Sequence, residues 1–205
     1  MGYKELLFKL PTDFTKELLE KKISNELGIN KFTYQIEHKS LDARKKANIH
    51  WLIKLVVSSE EIQGDKPEHF PDLKIEYKKR DKKALITGSG PAGFFAAYAL
   101  QKAGFQTTII ERGSDVSKRT EGIEHFEKTG QFVPESNYSF GEGGAGTFSD
   151  GKLTSRSKHI SKERKFIIST YIKAGAPEEI RYMTHPHVGS DNLKIIVKNL
   201  REVFL

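Results

Sequence analysis

The sequence predicts an α/β protein in two parts: a small α+β domain over residues 1–80, then a β-α-β domain over residues 83–205. Three observations carry this expectation. Short alternating apolar runs surround one helical stripe in the first 77 residues. A buried run at 83–87 leads into a turn spaced by Gly88, Gly90 and Gly93. A second glycine-rich stretch at 140–153 carries apolar anchors at both Phe140 and Phe148.

In chain order, residues 4–10 read as a first strand closed by Pro11. Thr12 or Asp13 is placed to cap a helix with Phe14, Leu18, Leu19, Ile23 and Leu27 at helical spacing, stopped by Gly28. Phe32, Tyr34 and Ile36 alternate as a half-buried strand does, and a polar run from His38 to Asn48 follows. Residues 49–57 make a stronger strand. Asp72 to Tyr77 alternates again through Leu73, Ile75 and Tyr77. This β-α-β-β pattern with a late strand makes a ferredoxin-like arrangement the candidate topology, although the stretch near Ser59 to Gly64 is a poor second helix. The charged run Lys78 to Lys83 reads as a solvated linker or strand end.

Beyond it, Gly88, Gly90 and Gly93 are spaced G-x-G-x-x-G after a strand and before the apolar helix Phe94–Ala103, which Gly104 stops. A second strand, Thr107 to Glu111, ends in an acid. The spacing through Ala97, Gly104 and Glu111 specifies a dinucleotide-binding β-α-β unit. Backbone N–H groups at the helix start would meet a pyrophosphate, and the strand-tip acid a ribose hydroxyl. Arg112 suggests a 2′-phosphate, but the neighbouring acid would repel one, which argues against NADP at this turn. The spacing alone leaves FAD and NAD both open.

Ser114 or Asp115 starts another helix, with Val116, Ile123 and Phe126 at helical intervals and an end at Gly130. Five glycines in the eleven residues 141–151 exclude a helix or central strand there. Gly146 to Lys152 imitates the start of a P-loop, but Leu153 cannot hold Mg²⁺ and no apolar strand precedes it. Ser161 is expected to cap a helix through Phe166, Ile167, Tyr171 and Ile172 that ends at Gly175. Ser190 or Asp191 is expected to cap the last one, striped by Leu193, Ile196, Val197, Leu200, Val203 and Phe204. His185, His187 and nearby Asp191 lack a third ligand fixed by spacing, so no metal site is expected.

Composition narrows the function classes. The 205 residues carry a net charge of +7, spread evenly: residues 4–80 hold 16 basic and 13 acidic residues, the remainder 18 and 14. That evenness argues against a dedicated nucleic-acid surface. With no cysteine, the chain itself offers no disulfide, thiolate metal site or cysteine nucleophile. No signal-peptide pattern opens the sequence, and its most apolar stretch, residues 51–57, is far too short to span a bilayer. A cytoplasmic, globular protein is expected.

Taken together, the stretches Lys39–Lys45, Thr87–Arg112, Asn137–Leu153 and, more loosely, His187–Leu193 resemble a family of FAD-dependent dehydrogenase-like proteins of undefined substrate. Those proteins place a small α+β domain ahead of a flavin domain of the glutathione-reductase type. The resemblance implies a partial Rossmann-type FAD/NAD(P)-binding domain after residue 83, with the pyrophosphate on Gly88, Gly90, Pro91, Ala92 and Gly93. Glu111, with Arg112 beside it, would hold the adenosine ribose. Gly143, Gly144, Gly146, Thr147 and Ser149 would lie along the phosphate and flavin, and Lys152 would stabilise the anionic reduced ring. No catalytic acid or base is indicated. Family members are about twice this length or more, so the expectation is the N-terminal part of an FAD-dependent oxidoreductase, truncated at its C-terminus. Its small-molecule substrate is undefined, and NAD(P)H is a candidate electron donor. The alternatives are an NAD-dependent enzyme using the same turn, or a nucleic-acid-binding module using Arg44, Lys45 and Lys46.

Overall fold

The computed structural model describes residues 1–67, 72–155 and 157–204. The fold is mixed α/β, and the chain forms two units: Met1–Pro71 with Arg181–Pro186, and Asp72–Ile180 with His187–Leu205. Among the described residues no helix is long and apolar enough to cross a membrane.

The first unit runs β1 (Gly2–Pro11), α1 (Lys16–Leu27), β2 (Thr33–Asp42) and β3 (His50–Ser59). The sheet is antiparallel in the order β1-β3-β2, so the most apolar strand is central. Period-two alternation puts Ile53, Leu55 and Val57 on one face, and α1 buries Leu19 and Ile23 with them. Thr15, not Thr12 or Asp13, caps α1: its hydroxyl accepts from the Leu18 amide.

Two further segments depart from the expected pattern. β2 continues through the polar run to Asp42, because a register shift between Ile36 and His38 re-aims the strand. Lys39 then pairs with Ile53 and lays its ammonium over Trp51, 4.4 Å from the ring centroid, and over Phe14 at 5.1 Å. The late strand at 72–77 does not form. Instead residues 182–184 lie beside β2, with the Lys39 amide donating to the Tyr182 carbonyl (2.8 Å) and the Thr184 amide to the Lys39 carbonyl (3.0 Å).

Residues 72–80 spend their bonds within the second unit. Asp72 pairs with Lys165 at 2.6 Å, while the Lys78 and Arg80 amides donate to the Ala103 and Gly104 carbonyls. That unit contains β4 (Lys83–Thr87), α2 (Pro91–Lys102), β5 (Gln106–Ile110), α3 (Val116–Thr129), α4 (Ser161–Lys173) and α5 (Ser190–Arg201). Strands β4 and β5 pair in parallel, joined through α2. Ala97 is fully buried, and Phe94 on the same helix enters a core with Ile168, Tyr171, Leu193, Ile196 and Leu200. Asp115 caps α3, accepting from the Ser117 and Lys118 amides. Helices α4 and α5 start without the expected side-chain caps: Ile160 and Gly189 occupy the cap positions, and Ser161 and Ser190 are already helical. At α5 the approach is set by the backbone, since the Val188 amide donates to the Gly151 carbonyl at 3.0 Å.

Candidate dinucleotide site

The turn after β4 is built from backbone. The Gly88 amide donates to the Ile110 carbonyl at 2.7 Å, extending the β4–β5 ladder into the turn, and Gly88 takes a left-handed φ of 91°. Gly90 caps α2 and Pro91 follows at the first helical position, where its missing N–H costs nothing. Gly93 serves packing: a Cβ there would fall 2.0 Å from the Gly88 carbonyl oxygen.

Glu111, just past β5, faces this turn. One carboxylate oxygen accepts from the Ser89 amide (2.8 Å) and hydroxyl (3.0 Å), and the other from the Gly113 amide (2.9 Å). Burial works to raise its pKa, but the Gly113 and Ser89 hydrogen bonds outweigh it and hold the group below its ordinary value. The acid therefore ties the glycine turn to the strand tip, with lone-pair capacity left for a ligand hydroxyl.

The second glycine stretch folds back onto the first. The Gly143 amide donates to the Ser89 carbonyl at 3.1 Å, and a Cβ built on Gly90 would lie 3.7 Å from the Gly144 Cα. Residues 145–148 form one 3-10 turn. Both aromatic anchors are engaged: the Arg112 guanidinium lies 3.7 Å from the Phe140 ring centroid, and that of Arg119 4.7 Å from Phe148.

Two cavities flank the doubled turn. One of about 470 Å³ is lined by Gly88, Gly90, Glu111, Arg112, Phe140 and Gly144, among others. The second, about 620 Å³, is lined by Pro91, Gly143, Gly146, Thr147, Ser149 and Lys152, among others. Phe94, Leu153, Tyr171, Val197 and Phe204 contribute to its apolar wall. Of the residues singled out from sequence, Ala92 and Gly93 line neither cavity. The Lys152 ammonium is paired with Asp150 at 2.7 Å, which lowers the carboxyl pKa and raises that of the lysine. His187 is also near Asp150, 3.9 Å from it.

Sequence reasoning missed Arg119. Its side chain is fully buried, and all five of its N–H donors go to main-chain carbonyls. Nε and Nη2 reach Asn137 (3.2 and 3.0 Å), Nη2 also Tyr138 (3.2 Å), and Nη1 reaches Glu142 (2.6 Å) and Gly144 (2.9 Å). Asn137, also buried, adds an Asx-type turn: its side-chain oxygen accepts from the Ser139 and Phe140 amides. A signal for Arg119 was present. It sits three residues after Val116 and four before Ile123, on the apolar stripe of α3, where a charge has to be buried.

Residues 86–141 match the NAD(P)-binding Rossmann-like domain family. This part of the chain is a Rossmann-like domain. Residues 3–58, nearly the whole first sheet unit, match a domain of unknown function (DUF8436). An uncharacterized protein of Clostridium beijerinckii is 40% identical over 208 residues, covering 94% of this chain. The chain spans 39% of that relative's length.

The residues present fit a dinucleotide. Gly90 and Gly144 meet backbone to backbone on the wall of the smaller cavity, so that no side chain of theirs intrudes on it. The buried Thr147 hydroxyl, on the wall of the larger cavity, has no hydrogen-bond partner among the described residues. A buried polar group of this kind calls for a partner that the protein does not supply.

Proposed function

We propose that the chain is the N-terminal part of an FAD-dependent oxidoreductase, receiving the FAD pyrophosphate on the turn Gly88–Gly93. The observation that carries this is the stacking of the second glycine stretch on the first, Gly143 bonded to Ser89 and Gly144 against Gly90. A single glycine turn serves any dinucleotide. A doubled one, with a cavity on either side, suits an extended dinucleotide lying across it, and the resemblance of residues 137–153 to flavin proteins favours FAD. Glu111 and Arg112 would meet the adenosine end in the smaller cavity, while Gly143, Gly146, Thr147, Ser149 and Lys152 would follow the phosphate toward the reactive ring. Bound flavin would supply hydride or electron-pair transfer. The chain's own work is to bind, orient and shield it from water. An NAD(P)H donor, a small-molecule substrate and a cytoplasmic setting belong to the same proposal.

The second reading is NAD at the same turn, favoured by the family description for residues 86–141. Titration of the chain with FAD, NADH and NADPH, followed by flavin or nicotinamide fluorescence, separates them. Saturable binding of FAD alone supports the first reading, and preference for NADH the second. For the nucleic-acid alternative, one of its three basic residues is already committed, because Arg44 forms a two-pronged pair with Asp42.

A further inference from the structure

Arg119 is a cation taken wholly out of water with no carboxylate at ion-pair distance among the described residues. Such a charge is tolerated only where its donors are fully used. Here five N–H groups meet four carbonyls drawn from residues 137–144, a loop with no helix or strand of its own. A trans peptide directs its C=O and the following N–H in opposite senses. Drawing the Glu142 carbonyl toward α3 therefore turns the Gly143 amide the other way, where it bonds the Ser89 carbonyl in the glycine turn. Drawing in the Gly144 carbonyl seats that residue against Gly90 and Pro91, so closely that a Cβ on Gly144 would lie 3.2 Å from the Gly90 Cα. The negative charges of Glu111 and Glu142 reach Arg119 only through space.

From this we infer that Arg119 is the positioning residue of the pyrophosphate groove. It holds the second glycine wall in contact with the first and leaves a buried positive charge behind that wall. The inference rests on the dinucleotide reading and adds to it the residue that seats the second wall and sets the potential behind it. Lysine keeps the charge but has three donors in no fixed fork, so it cannot hold four carbonyls at once.

The test compares ADP with adenosine, which differ by the diphosphate, on the 205-residue chain. Arg119→Lys is expected to weaken ADP by about tenfold or more while adenosine changes by less than about threefold. Gly144→Ala, which keeps Arg119 but crowds Gly90 and strains an acceptor residue held at a φ of 73°, disturbs the same wall from its other side. It is expected to show the same selectivity, and it carries the test if the lysine variant does not fold. Equal losses for ADP and adenosine in the folded variants, or no loss of ADP, overturn the inference. A wild-type chain that binds ADP, while both variants keep its affinity, leaves the dinucleotide reading standing and removes only Arg119's role. A wild-type chain that binds neither FAD, NAD(P)H nor ADP overturns both.

Discussion

The two glycine-rich stretches of the second unit meet at one place but are held there by different means. Residues 88–93 are fixed by regular structure: β4 feeds in, α2 leads out, and the Gly88 amide continues the strand ladder. Residues 137–144 have neither strand nor helix, and side chains hold them, Arg119 from one direction and Asn137 from within. The first stretch can therefore be damaged by sterics, the second by removal of a single hydrogen-bonding hub.

The largest expected effect comes from that hub. Arg119→Met leaves four carbonyls without their donor and should destabilise the second unit by about 3–5 kcal/mol, measured by denaturant unfolding. Should Arg119→Met unfold like wild type, the loop is held by something other than Arg119. On the sterically held side, Gly93→Ala puts a Cβ 2.0 Å from the Gly88 carbonyl oxygen. Overpacking of this kind costs about 1–3 kcal/mol, and the displaced turn should lose dinucleotide binding as well.

Glu111 links strand tip and turn, and its depressed pKa makes that link dependent on pH. A carboxylate held below its ordinary value of 4.5 adds stability that is complete above that value and is lost as pH falls through the folded one. Acidification below about pH 4.5 should therefore weaken the second unit. Glu111→Gln should flatten that dependence and cost about 1–2 kcal/mol at neutral pH. An unchanged acid limb in unfolding curves of Glu111→Gln would assign the acid sensitivity elsewhere. Smallest is the loss of the α3 cap: Asp115→Ala should cost about 1 kcal/mol by thermal unfolding, acting on the helix that carries Arg119.

How much was legible in the sequence follows the same division. The turn and Glu111 could be read because their spacing is a property of backbone geometry: a five-residue strand, a turn, a three-turn helix and a strand tip have fixed lengths. The second stretch could be recognised as ordered from Phe140 and Phe148, but its anchor lies 18 to 25 residues upstream on α3, and no local spacing connects them. The late strand at 72–77 failed for a related reason. Leu73, Ile75 and Tyr77 alternate as a strand would, yet their neighbours' hydrogen bonds go to the end of α2, and the place beside β2 goes to residues more than 100 positions later. Helix starts at Ser161 and Ser190 were read from capping chemistry, whereas Ile160 and Gly189 stand at the cap positions and the serines lie inside the first turn.

On this reading a dinucleotide's pyrophosphate lies along the glycine surface formed where Gly90 meets Gly144. Gly90→Leu is the sharpest probe: a Cβ at Gly90 has ordinary van der Waals room, 3.7 Å from the Gly144 Cα, while the longer leucine side chain has to cover the glycine surface or push the second stretch away from it. Wild-type and Gly90→Leu chains would be titrated with FAD and followed by quenching of flavin fluorescence, with circular dichroism to confirm the fold. Saturable binding by the wild-type chain and its loss in a folded Gly90→Leu variant are expected. Equal FAD affinity in both, or no binding by a folded wild-type chain, would contradict it.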